Sequence, residues 1–370
     1  MLRTVDWKDI KELRVLGRTD FTNDFLPLFS NGSAVEVCVD GSELWIDVDV
    51  DCDFFEPWIF TELNGSFMSR QMLLPGKQSI CLFRSMEPTA KKTFKFTREL
   101  QAMHEDDRCH IYVEGFKTDG NFYPLEPYDY KLEFIGDSIT SGEGTYGARA
   151  DVDWLTMYMS YSNTYANLIC KNLNAEARMV SQGGFGVFCG WDNQPYNNIP
   201  KYYEKVCGLG FGEGNNQAGA HKDYDFSSWV PDAIIVNLGT NDASAFNTPP
   251  FTDPNTGITY KQRKNDDGTL NKEDADKVKQ AVIDFLKMLR KNNPTSHIVW
   301  AYGMLGYDLN MVITDAMNKY IEETGDYNVK FLNIPNTNQE TVGSHGHPGF
   351  ASHVKAAAVL EDYLRSVLNA

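Results

Sequence analysis

The stretch "YPLEPYDYK" (residues 123–131), with two prolines, separates two different sequence rhythms, and that change limits the fold more than any other feature. After it, short apolar runs alternate with amphipathic segments of helical length. "KLEFIGD" precedes a helical segment around "SNTYANLICKNL", and "ARMVSQ" and "DAIIVNLG" (232–239) follow. Residues 273–291 place Val278, Val282, Phe285, Leu286 and Leu289 on one helical face; then come "HIVWAYG", a helix over 309–324, "VKFLNI" and a last helix over roughly 350–368. Strands joined by helices must run parallel, which requires a sheet covered by helices on both faces.

Before the boundary the chain is built from runs of period two: "AVEVCVD", "ELWIDVDVDCDFF", "GSFMSRQMLL", "SICLFRS", "KTFKFTREL" and "CHIYVEGF". Many short strands between Gly, Pro, Asn and Asp turns predict a β-sandwich. In the second run Trp45, Asp47, Asp49, Asp51 and Asp53 alternate with Ile46, Val48, Val50 and Cys52. A calcium loop would need glycine at its sixth position and glutamate at its twelfth, whereas Cys52 stands at the sixth, so the acids form the solvent face of a strand. The expected domains are a sandwich over 1–126 and an α/β domain over 127–370. Residues 205–228 and 243–272 exceed ordinary connections and are expected to be functional loops or insertions.

A length of 370 residues suits two cores. The formal charge of -17, from 51 acids and 34 bases, opposes nucleic acid, anionic membranes and polyanionic substrates, and favours a neutral one. Seven scattered cysteines without a CxxC read as reduced, mostly buried thiols. "MLRTVDWKDIKELRVLG" has no apolar core of a signal peptide, and no run reaches the roughly 18 apolar residues of a membrane helix, so a cytoplasmic protein is expected.

In a parallel sheet, function gathers at the carboxyl ends of the strands. Read in order, those ends are "GDSIT" (136–140), "SQGGFG" (181–186), "GTND" (239–242), "YGMLG" (302–306) and the loop leading to "GSHGHPG" (343–349). Ser138 directly follows a strand and can present its hydroxyl at the sheet edge. Ester cleavage needs such a nucleophile, a base, and donors aimed at the developing oxyanion. Gly184 can bring a bare N–H close to a substrate, with Gly183 and Gly186 as competing positions, and the Asn241 amide and Ser138 N–H would complete the hole. Taken singly, Ser138 could be a helix cap and Asn241 a turn residue, but independent caps have no reason to converge. Asp137 and Asp242 are expected to brace their loops.

The four blocks, in this order over roughly residues 130–370, resemble the SGNH (GDSL-type) hydrolases, which have a flavodoxin-like parallel sheet. With an N-terminal sandwich and "YGMLG", the chain is similar to the family 2 carbohydrate esterases, acetylesterases with a jelly-roll domain ahead of the hydrolase. The resemblance implies Ser138 as nucleophile and His347, followed by Pro348, as base. It implies an oxyanion hole of Ser138 N–H, Gly184 N–H and Asn241. The superfamily's acid three residues before the base is missing: Ser344 stands there for His347, and Val342 for His345. A backbone carbonyl within 343–346 is the expected acceptor for Nδ1–H, with the Ser344 hydroxyl or an acid from a distant loop as alternatives. His345 is either a loop residue or half of a His-x-His metal site that lacks a third ligand.

The resulting expectation is a serine esterase that removes O-acetyl groups from a carbohydrate without cofactor or metal. The resemblance favours 6-O-acetyl hexose units or acetylated xylan or glucomannan oligosaccharides. Acetylated mono- or oligosaccharide is thus the expected partner, and a homo-oligomer is left open. Trp191, Tyr302 and Tyr307 are candidates for stacking on a sugar ring. The rivals are a thioesterase or lysophospholipase with the same machinery, and a carbohydrate-binding protein that has lost catalysis.

Overall fold

A computed structural model describes residues 1–368. The N-terminal part is a sandwich of two antiparallel sheets. One runs Arg3–Asp6, His110–Thr118, Leu44–Asp51, Gly76–Phe83, with Leu26–Pro27 also on His110–Thr118. The other runs Phe122–Tyr123, Ala34–Val39, Lys92–Arg98, Trp58–Leu63, Ser66–Met72, with Arg14–Leu16 also on Ala34–Val39. Ile46, Val48 and Val50 of the acidic strand are buried in a core shared with Val35, Val37, Phe94 and Phe96 of the facing sheet. Between them Asp47 pairs with Lys117 and Asp51 with Arg108, so the alternation is a strand pattern and not a calcium loop.

The second part holds five parallel strands in spatial order Ala175–Ser181, Tyr130–Gly136, Ala233–Asn237, His297–Gly303, Val329–Ile334. In chain order this is 2-1-3-4-5, with the switch point beside the first strand. Ile234, Val236, Ile298 and Trp300 pack on helices Lys272–Asn292 and Asn310–Thr324. Phe134, Ile235 and Val299 face the opposite way, toward helices Tyr165–Leu173 and Phe350–Leu368. Strands buried on both faces read as continuous apolar runs, which is why "DAIIVNLG" shows no alternation. Among the described residues no helix is long and apolar enough to cross a membrane. All seven cysteines are free, five of them buried.

The two parts are joined by buried polar contacts. Arg18, from the sandwich side, donates to Glu133 on the first parallel strand at 2.8 Å, with both side chains 2% exposed. Tyr203 Oη–H donates to the other carboxylate oxygen at 2.7 Å, and Arg18 also donates to the Lys205 carbonyl. The 205–228 stretch proves to be a clasp: Asn23 donates to the Ala218 carbonyl, Lys222 pairs with Asp20, and Asn215 donates to the Cys109 carbonyl. Its many Gly and Asn residues serve close approach to the sandwich, and none of them lines the site described below. The 243–272 stretch folds on itself through the hairpin Phe251–Thr252/Thr259–Tyr260.

Removing one partner of a buried ion pair leaves the other charge uncompensated, at a cost of about 3–5 kcal/mol. Arg18→Met is therefore expected to lower stability by about that amount in urea unfolding, far more than Lys8→Met at the exposed Lys8–Asp24 pair. Equal, small effects would show that the junction does not bear on stability.

Candidate active site

Ser138 opens a short helix, Ser138–Ser141, immediately after the first parallel strand. Asp137 caps that helix by accepting the Ile139 N–H at 3.0 Å, and Gly142 ends it in the left-handed region at φ 84°. The turn holds the Ser138 side chain at the carboxyl edge of the sheet, 5% exposed, on the floor of a cavity of about 660 Å³.

His347 reaches the same floor from the far end of the chain. Ser138 Oγ–H donates to its Nε2 at 2.9 Å. Its Nδ1–H donates to the His345 carbonyl at 3.0 Å, a main-chain acceptor inside 343–346. The ring is held from the backbone as well: Gly343 N–H donates to the His347 carbonyl, and His347 N–H donates to the Ser344 carbonyl. The Ser344 hydroxyl is engaged by the Tyr146 carbonyl at 3.0 Å. His353, one turn into the last helix, is fully buried, accepts the Tyr165 N–H, and is pushed down to about 3, chiefly by burial and then by His347.

A residue the sequence did not single out stands between the two histidines. Glu143, five residues after Ser138, accepts from His345 Nδ1–H at 2.7 Å, and the same oxygen lies 3.3 Å from His347 Nδ1. The carbonyl is the better aligned acceptor for His347, while Glu143 binds His345 directly. The imidazoles stack nearly parallel, with centroids 5.4 Å apart. His345 adopts φ 52° to do this, a conformation that side chains other than glycine seldom take. Glu143 thus stands as a third potential ligand beside the two histidines, which their spacing in the sequence did not show; the Nδ1 atoms of both rings are engaged in the hydrogen bonds just described.

The three glycines of "SQGGFG" are separated by the partners of their N–H groups. Gly183 N–H donates to Gln101 Oε1 at 2.8 Å, and Gly186 N–H donates to the Asn197 carbonyl. Gly184 N–H and Ser138 N–H have no acceptor among the described residues and remain for a ligand. Gly184 has φ 81°, and a Cβ there would sit 3.3 Å from Trp191 Cδ1. Asn241 lies in the first turn of helix Thr240–Ala245. Its Nδ2 donates to the Phe185 carbonyl at 2.9 Å and, more loosely, to Asp137 Oδ2 at 3.2 Å. Asp242 gathers the N–H groups of Val187, Phe188 and Cys189 and so shapes the glycine loop.

The aromatic candidates separate. Trp191 lines the cavity and is half-exposed. Tyr302 does not: it is 2% exposed and packed in the core behind Gly239, where the sheet turns its side chain toward the helices. Tyr307 does not either, since its hydroxyl is tied to the Ile334 carbonyl at the edge strand. Phe55, Met103 and His104 of the sandwich, with Trp154, form a wall that no sequence pattern marked. Their distance from the motifs along the chain hid them.

The chain belongs to the GDSL-like lipase/acylhydrolase family, which it matches over residues 132–359. Over its full length it is 56% identical to the acetyl xylan esterase Est2A from the rumen bacterium Butyrivibrio proteoclasticus, with a TM-score of 0.98 and 99% of that chain covered. The acetylxylan esterase/glucomannan deacetylase of Cellvibrio japonicus is 23% identical, over 96% of this chain and 89% of its own length. A family two carbohydrate esterase from Clostridium thermocellum, solved with cellohexaose, shares the fold at a TM-score of 0.79 and 23% identity, over 96% of this chain and 99% of that one. The cellulase/esterase CelE of Acetivibrio thermocellus is 27% identical over 66% of this chain, which spans about a quarter (26%) of that protein's length.

Burial, with the charges of Asp242 and Glu143 adding to it against the Ile139 N–H, pushes Asp137 up to about 7 from its ordinary 3.8. The folded chain thus keeps the proton where the unfolded chain loses it, and wild-type stability falls as pH rises from 3.8 to about 7. The melting temperature of Asp137→Asn relative to wild type should rise across that window and level off above it. A difference independent of pH would contradict an Asp137 proton held in the folded state.

Proposed function

We infer that this chain is a carbohydrate acetylesterase acting through Ser138 and His347 on acetylated xylan- or glucomannan-type oligosaccharides. The 2.9 Å bond between Ser138 Oγ and His347 Nε2, beneath converging unpartnered N–H groups, carries the reading. Oγ attacks the acetyl carbonyl while its proton passes to Nε2. The tetrahedral oxyanion is held by the N–H groups of Ser138 and Gly184 and by Asn241. On collapse Nε2–H protonates the departing sugar alkoxide, leaving acetyl-Ser138. Water, deprotonated by His347, then attacks the acetyl carbon, and acetate leaves as Oγ regains its proton.

The cavity wall favours a sugar over a long acyl chain. Glu105, Asp192, Gln194 and Asn197 place carboxylates and amides around the mouth, matching hydroxyl groups, while Trp191 and Trp154 offer ring faces. A long acyl chain would leave those polar groups desolvated and unpaired.

Ser138→Ala should abolish acetyl-ester hydrolysis with the melting temperature near wild type. In a panel of 4-nitrophenyl esters from acetyl to octanoyl, kcat/KM should be greatest for acetyl. Retained activity would remove Ser138 from the chemistry, and a maximum at octanoyl would select the lysophospholipase-type alternative.

Glu143 tests what orients the base. Loss of a triad acid costs about 10⁴ in kcat in the chymotrypsin-type case. With the His345 carbonyl already accepting Nδ1–H, Glu143→Gln should lower kcat by only about 10-fold, well short of that triad figure. A fall approaching the triad figure would make Glu143 the acid of a triad.

A further inference from the structure

We propose that Gln101 of the N-terminal sandwich is a positioning residue for the oxyanion hole, so that the sandwich is a structural part of the esterase site. This rests on the assignment of Gly184 N–H and Asn241 as oxyanion donors. Gln101 is 2% exposed, and its Oε1 accepts the Gly183 N–H at 2.8 Å across the domain junction. That bond fixes the Gln182–Gly183 peptide, so that only the two dihedral angles of Gly183 separate the held group from the Gly184 N–H. The φ of 81° at Gly184 lies where rotation is cheap for glycine. Within the hydrolase part Gln182 N–H donates to the Gly136 carbonyl and the Gly184 carbonyl accepts the Trp191 N–H, while the remaining hold, on the Gly183 N–H between them, comes from outside.

The sandwich provides it. Arg98 is 2% exposed and donates from Nε to the Leu100 carbonyl and from Nη2 to the Gln101 carbonyl, which locks the backbone that presents Gln101. The adjacent Glu99 carboxylate accepts from Ser160 and Ser162 of the hydrolase side at 2.7–3.1 Å, binding the same stretch to both domains. A second hold follows three residues on. The ring of His104 meets Phe185 edge to face at 4.9 Å, and the carbonyl of Phe185 accepts the Asn241 amide. Both donors other than Ser138 N–H therefore depend on residues 183–185, and the sandwich grips that segment at Gly183 and at Phe185.

Gln101→Met keeps the length of the side chain and removes the acceptor; Gln101→Asn keeps the amide and shortens the reach. A donor misplaced by a fraction of an ångström loses transition-state stabilisation while substrate binding is spared. On 4-nitrophenyl acetate, whichever variant folds should lose about 10- to 100-fold in kcat, with KM within about two-fold of wild type. A small alkylboronic acid, which forms a tetrahedral adduct on the serine, should bind more weakly by the same factor as the loss in kcat/KM. Unchanged kcat and boronate affinity in a folded variant would overturn the proposal, and so would a loss confined to KM, which would make Gln101 a substrate contact. Asn241→Ala, measured alongside, separates the two levels. If it leaves kcat unchanged, the oxyanion assignment itself fails; if it lowers kcat while the Gln101 variants do not, only the role of Gln101 fails.

Discussion

All five strands of the central sheet point the same way, so their carboxyl ends open on a single edge. The places of Ser138, Gly184, Asn241 and His347 follow from that constraint. The order 2-1-3-4-5 sends the second and third strands to opposite sides of the first and leaves a crevice beside it. Ser138 leaves the first strand into that crevice, the glycine loop enters from the second and Asn241 from the third. His347 arrives after the fifth, on the connection to the last helix. Residues 209 positions apart thus come within 2.9 Å without any local contact to guide them.

His347, the proposed base, shows how a missing acid is replaced. A carboxylate three residues before a histidine would have fixed the tautomer by charge. Here a main-chain carbonyl fixes it by geometry, and Glu143 approaches from the loop that follows Ser138 to hold the neighbouring imidazole. Glycine makes this approach feasible, since a Cβ on Gly144 would come within 2.6 Å of His347 Cβ. The buried carboxyls of Asp137 and Asp242, both raised above their ordinary range first by burial, shape the loops around the site, and Asp137 also meets the Asn241 amide at 3.2 Å.

The sandwich has a clearer part than its sequence suggested. Its buried Arg18 is paired across the junction with Glu133, and its 98–106 stretch forms one wall of the cavity. An ion pair this dry resists relative motion of the two parts, because separation would expose two charges to a partly apolar surface before water could reach them. Gln101 of that stretch accepts the Gly183 N–H across the same junction.

The sequence by itself determined the two architectures and the residues at the strand ends. Periodicity of two or of 3.6 reports which faces are buried, and Ser138, Asn241 and His347 sit at punctuation that a parallel sheet brings together. It also favoured Gly184 among three glycines for the proposed oxyanion hole, although all three lack a Cβ. Tertiary structure decided the rest. Only the partners of each N–H set Gly184 apart from Gly183 and Gly186, only packing sent Tyr302 into the core and tied Tyr307 at the edge, and only the fold of the loops brought Glu143, Gln101 and His104 to the cavity. The physical reason is that a hydrogen bond between residues 82 apart, such as Gln101 to Gly183, leaves no periodic trace in either segment. Local sequence encodes which surface is buried, and the chain's long-range path decides what that surface meets.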